Sequence, residues 1–65
     1  MKVYLVLSKI EYKGGEWNVE QGFYNEIVAS VYIAEKFPKF KYNQEKDCWV
    51  RGNDLISIEI CKIND

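Results

Sequence analysis

From Lys2 to Tyr12 the even positions Tyr4, Val6, Ser8, Ile10 and Tyr12 are largely apolar, whereas the odd positions are apolar only at Val3, Leu5 and Leu7 and then charged at Lys9, Glu11 and Lys13. A period of two marks a β-strand. The change on its odd face predicts a strand covered on both faces in its first half and on one face beyond. Gly14-Gly15 follows, and two residues free to take positive φ predict a two-residue hairpin turn. A second strand from Glu16 to Tyr24 alternates Trp17, Val19 and Phe23 inward with Glu16, Asn18 and Glu20 outward. With the turn fixed, Lys13 faces Glu16, Tyr12 faces Trp17, Ile10 faces Val19, Lys9 faces Glu20 and Val6 faces Phe23. That register sets apolar against apolar on one face and opposite charges together on the other.

Asn25 reads as a helix N-cap, with Glu26 placed favourably against the helix dipole. The helix is predicted over about Glu26 to Lys36; Pro38 ends it, and Phe37 is extended because it precedes proline. Ile27, Val31 and Ala34 form its apolar stripe, flanked by Val28, Tyr32 and Glu35. Ile27, Val28, Val31 and Ile33 are β-branched and each lowers helix propensity by several tenths of a kcal/mol, so a strand is the competing assignment. Burial of the stripe has to supply what propensity does not.

From Pro38 to Asp47 the chain reads as a polar loop studded with aromatics. Cys48 to Arg51 is a short strand, and Gly52-Asn53 is a turn that brings Arg51 to Asp54 and Trp49 to Ile56. The last strand runs from Leu55 to about Ile63, burying Ile56, Ile58 and Ile60, and Asn64-Asp65 is a solvated tail. The expected architecture is α+β: one domain, a small antiparallel ββαββ sheet with one helix packed on one face.

A chain of 65 residues buries only about 60% of the surface it exposes when unfolded. Its two Trp, five Tyr and three Phe compensate, because each ring removes a large area from water. No apolar run approaches the ~20 residues that cross a membrane. Met1 to Leu7 opens like a short signal peptide. It alternates as a strand does, however, is followed at once by charge, and has no small-residue cleavage site, so it reads as mature structure. Nine Lys and Arg against ten Asp and Glu give a net charge of −1, which argues against a dedicated duplex-DNA binder. With no histidine in the chain, Cys48 and Cys61 read as free, mostly buried thiols of a cytoplasmic protein, in preference to a disulfide or a metal site shared across a dimer.

The stretches Lys2-Val3-Tyr4-Leu5-Val6, Gly22-Phe23-Tyr24, the capped helix from Glu26, Pro38-Lys39-Phe40 and Ile58-Glu59-Ile60 together resemble a family of small bacterial and phage proteins of unknown function. Those proteins open with a Lys-Val-Tyr-Leu-type strand and share a β-β-α-β core. The helix here is richer in β-branched residues and poorer in charge than the family's. The resemblance implies a fold and a prokaryotic or phage setting; it implies no catalytic residue.

The residues point away from catalysis as well. Without histidine neither a Ser-His nor a Cys-His nucleophile can be built. Ser8, Ser30 and Ser57 lie in predicted regular elements, and Glu11, Asn18 and Glu59 read as a solvated face. Gly14-Gly15 is a hairpin turn and no phosphate cradle, because no helix N-terminus follows it directly. A non-enzymatic protein without cofactor or metal is expected.

Two binding chemistries remain. Tyr4, Tyr12, Trp17, Phe23, Tyr24, Tyr32, Tyr42 and Trp49 exceed what one short helix can cover, and Tyr and Trp dominate interface hot spots. A protein-binding surface is therefore expected, anchored by Tyr12, Trp17 and Trp49, with Lys39 and Lys41 setting charge complementarity. The partner is a foreign protein or a second copy in a homodimer. Combined with the resemblance, this describes a phage-type accessory or inhibitor protein that occupies a surface of a host factor. The alternative is single-stranded nucleic acid, bound by Lys36, Lys39, Phe40, Lys41, Tyr42 and Lys46, since rings stack on bases and lysines track phosphates. The plainer account of that stretch has Phe37 and Phe40 folding inward while the lysines solubilise a loop.

Overall fold

The computed structural model describes residues 1–64; Asp65, expected in the solvated tail, lies outside them. The elements are β1 (Lys2–Lys9), β2 (Trp17–Phe23), α1 (Glu26–Lys36), β3 (Lys41–Asn43), β4 (Cys48–Arg51) and β5 (Asp54–Lys62). The strands form one antiparallel sheet in the order β2-β1-β5-β4-β3, so the chain is α+β with five strands and not the four of ββαββ. The additional strand is β3, which lies inside the expected loop. Three residues are too few to show a period, and β3 is held by pairing Tyr42 with Trp49 in β4. The β4–β5 hairpin has the expected register, Arg51 opposite Asp54 and Trp49 opposite Ile56.

The first hairpin does not have its expected register. Glu11–Lys13 form a 3-10 turn, and the Ile10 carbonyl accepts from the N–H groups of both Lys13 and Gly15. Gly14 and Gly15 do take positive φ, 101° and 69°, but they close a wider loop. Lys9 pairs with Trp17, Ser8 with Asn18 and Leu7 with Val19; a bulge follows, after which Val6 pairs with Gln21 and Tyr4 with Phe23. Glu20 is the extra residue. Its carboxylate accepts from the Ser8 hydroxyl at 2.6 Å, and Ser8 is almost wholly buried. A buried hydroxyl needs a partner, and the bulge brings one to it. The bulge also reverses the alternation of β2. Phe23 faces the helix as expected, but Trp17 and Val19, paired beside Lys9 and Leu7, face the other way.

α1 has the expected limits. Asn25 Oδ1 accepts from the N–H groups of Ile27 (2.7 Å) and Val28 (3.3 Å), and the last turn closes with Phe37 N–H on the Ile33 carbonyl at 2.8 Å. Its buried face differs. Ala29 and Ile33 are fully buried with Val6 and Ile56, whereas Ile27, Val31 and Ala34 of the expected stripe are exposed, Ile27 by 73%. A run of ring contacts sets this rotation. Tyr32 packs on Phe23 at 5.1 Å and on Phe37 at 6.4 Å, and Phe37 packs on Phe40 at 5.6 Å. The small Ala29 lets the helix backbone approach the sheet.

Ile33→Ala should cost about 2–5 kcal/mol in urea unfolding. Ile27→Ala should stay within about 0.5 kcal/mol of the parent. The opposite order would mean that the expected stripe, not Ala29 and Ile33, faces the sheet.

Candidate functional site

Cross-strand pairing sorts the side chains onto two faces. Val3, Leu5 and Leu7 of β1, Trp17 and Val19 of β2 and Leu55 of β5 share the face turned away from α1. The β1 residues and Leu55 are half-buried there, with no helix over them. Gly22 leaves room for this packing: a Cβ at that position would come 3.2 Å from both Leu5 and Val3. Trp17 is 47% and Val19 63% exposed. The Lys9 ammonium stands 6.0 Å from the Trp17 ring centroid, which is within cation–π reach. Beside Leu7 and Trp17 lies a shallow cavity of about 510 Å³ that runs to Ser57, Ile58, Glu59 and Ile60.

On the helix side a groove of about 310 Å³ lies over β5, lined by Ile58 and Ile60, the rings of Tyr42 and Trp49, Asp47, and Glu26 and Ser30 of α1. The Tyr42 and Trp49 rings meet edge-on at 5.0 Å. Asp47 takes a left-handed φ of 52°, which aspartate tolerates, and its carboxylate accepts from the Tyr42 hydroxyl. The Tyr42 phenol pKa is raised above its ordinary value, first by this hydrogen bond, then by desolvation, by the charge of Asp47 and, after it, by Cys48 and Glu26. The groove is lined by the Glu26 and Asp47 carboxylates and by no lysine or arginine. The Glu26 carboxylate has no hydrogen-bond or ion-pair partner among the described residues.

A third cavity, about 200 Å³, lies between Lys36, Phe37, Pro38, Lys39, Phe40 and Arg51. Phe37 and Phe40 are half-buried against the core.

The residues expected for protein binding do not form one surface. Tyr12 is 82% exposed on the 3-10 turn, while Trp17 lies on the open face. Trp49 walls the acidic groove, Lys39 rims the basic cavity, and Lys41, paired with Val50, lies at the far edge of the sheet. The alternative set is divided too. Lys36, Lys39 and Phe40 share a cavity with Arg51; Tyr42 belongs to the acidic groove; and Lys46 sits in the β3–β4 turn, its N–H on Asn43 Oδ1. Residues not singled out from the sequence are Glu26, Asp47 and Arg51, brought together with the others only by the tertiary fold. Cys48 is buried and free as expected, but Cys61, also free, is exposed, because it pairs with Val3 on the face turned away from α1, near the end of the sheet.

Among the described residues no group of three or more His, Cys, Asp and Glu could hold a metal ion, and no helix is long and apolar enough to cross a membrane. Comparison of the chain with known protein families, with curated proteins and with solved structures gives no match.

Asp47→Asn should lower the Tyr42 titration midpoint toward 10.0, read as tyrosinate absorbance against a Tyr42→Phe background. The folded state favours the protonated phenol. Its contribution to stability is therefore complete below the ordinary value and is lost as pH climbs through the raised one. An unchanged midpoint in Asp47→Asn would remove Asp47 as the cause.

Proposed function

We propose that the protein is a small non-enzymatic binding module that docks on another protein through the sheet face opposite α1. One observation carries this reading. Leu5, Leu7, Trp17 and Val19 form a contiguous apolar surface on a folded sheet, with Trp17 and Val19 largely open to solvent. Surfaces of this kind mark interaction sites. A tryptophan steadied by a lysine over its ring is the anchor type found in hot spots, and the polar rim of Lys9 and Glu59 supplies orientation. The concrete form is a phage-type accessory or inhibitor protein that covers a working surface of a host factor. Tyr12, at the end of the same hairpin, extends the contact.

Affinity capture from bacterial lysate, with and without nuclease, tests this reading. The wild-type chain should retain a stoichiometric, nuclease-resistant partner, and raised salt should not release it, in contrast to phosphate-driven binding. Trp17→Ala and Val19→Lys should each abolish capture with melting temperatures close to the parent's, and Tyr12→Ala should weaken it. Capture that survives both face variants, or that vanishes with nuclease, contradicts the reading.

A further inference from the structure

β5 is paired on both sides for only part of its length. β1 accompanies it throughout, Lys2–Lys9 against Leu55–Lys62, whereas β4 pairs only with Asp54, Leu55 and Ile56. Beyond the strand ends, Met1 and Ile63 exchange both backbone bonds: Ile63 N–H to the Met1 carbonyl at 2.8 Å, and the Met1 ammonium to the Ile63 carbonyl at 3.2 Å. Bonded and non-bonded pairs alternate along an antiparallel ladder. The odd residues of β5 therefore turn their N–H and C=O groups toward β1, and the even residues turn theirs away. Ile56 meets Trp49 of β4 on that side. Ile58, Ile60 and Lys62 meet no strand among the described residues.

The other edges of the sheet are blunted. β2 carries a bulge and β3 is three residues long. Bulges and short strands are two of the devices that keep edges from pairing. The segment Ile58-Glu59-Ile60-Cys61-Lys62 has no bulge and no proline, and Ile60 is 52% exposed.

We propose that this edge pairs antiparallel with the same edge of a second copy, with Ile60 opposite the partner's Ile60 across a two-fold axis. Only even residues offer backbone groups on this side, so even must meet even. Opposed residues then share a face, and both α1 helices lie on the same side of a continuous sheet. β4 pairs no farther along β5 than Ile56, so the incoming strand is set beside Ile58 to Lys62.

The same register identifies the occupant. It sets the partner's Lys62 across from Ile58, at the acidic groove of Glu26, Asp47, Tyr42 and Trp49. The lysine stem lies along the two rings, and the ammonium reaches carboxylates of which Glu26 has no other partner among the described residues. An arbitrary strand would satisfy the backbone, but this chain's own segment already carries the cation where the groove needs it. The arrangement uses an edge and not the open face, so it stands independently of the function proposed above and leaves that face accessible.

Sedimentation equilibrium of the full chain over a wide concentration range tests the proposal, with circular dichroism confirming the fold of each variant. The wild type should dimerise. Lys62→Glu should raise the dissociation constant about tenfold or more, and Glu26→Lys combined with Lys62→Glu should restore association by exchanging the charges. Ile60→Pro removes an outward N–H that β1 does not use and should leave a folded monomer; if it does not fold, the charge-exchange pair decides. A wild-type chain that stays monomeric into the high-micromolar range overturns the proposal. So does a Lys62→Glu variant that associates as before, or a double variant that does not recover.

Discussion

One helix of eleven residues has to cover a sheet of five strands, and it is too small to do so. Such a helix is about 16 Å long and ~10 Å wide, whereas the axes of five strands at ~4.8 Å spacing span about 19 Å. α1 settles on β1 and β2, and the remaining features follow from that placement. Burial fades along β5 from Ile56, fully enclosed, through Ile58 to the half-open Ile60. The strip of β5 left uncovered becomes the floor of a groove, which α1 bounds on one side and the Tyr42–Trp49 pair on the other. Among the described residues no helix covers the opposite face of the sheet, and the apolar side chains of β1 and β2 stay near the surface there.

The bulge at Glu20 decides which side chains that face displays. A regular β2 would carry Trp17, Val19 and Phe23 to the same side and hide them together under the helix. With the extra residue, Phe23 enters the ring cluster around Tyr32 while Trp17 and Val19 turn outward. The Ser8–Glu20 hydrogen bond at 2.6 Å ties this local irregularity to the core, since Ser8 lies between Val6 and Ile10 on the buried side of β1. A polar contact at the buried Ser8 thus goes with the exposure of an aromatic ring, Trp17, on the other face.

Much of the architecture was legible where local chemistry sufficed. Asn25 and Pro38 bound α1 because a cap and a helix stop act within a turn, and Gly52-Asn53 set the second hairpin because that turn tolerates one register. The first hairpin misled, since Gly14 and Gly15 suit a tight turn and the end of a 3-10 turn equally well, and a period-two pattern does not announce a bulge. The buried stripe of α1 was misread for a related reason. Ile27 and Val31 are more hydrophobic than Ala29, but closeness of approach, not hydrophobicity alone, determined which side packs. The aromatic surplus pointed to rings left outside the core, and Trp17, 47% exposed, is one of them, although its strand pattern placed it inward. The groove was not legible, because Glu26, Asp47 and Ile58 come from a helix, a turn and a strand that meet only when β5 inserts beside β1.

Because α1 leaves the far side of β5 uncovered, that strand is bonded along one side and open along part of the other. Residue-resolved amide hydrogen exchange along β5 tests that most directly. The account predicts that Ser57, Glu59 and Cys61 exchange slowly at every protein concentration because β1 holds them. Ile58, Ile60 and Lys62 should exchange quickly in dilute solution and gain protection as concentration rises. Odd and even amides exchanging alike at all concentrations would contradict it.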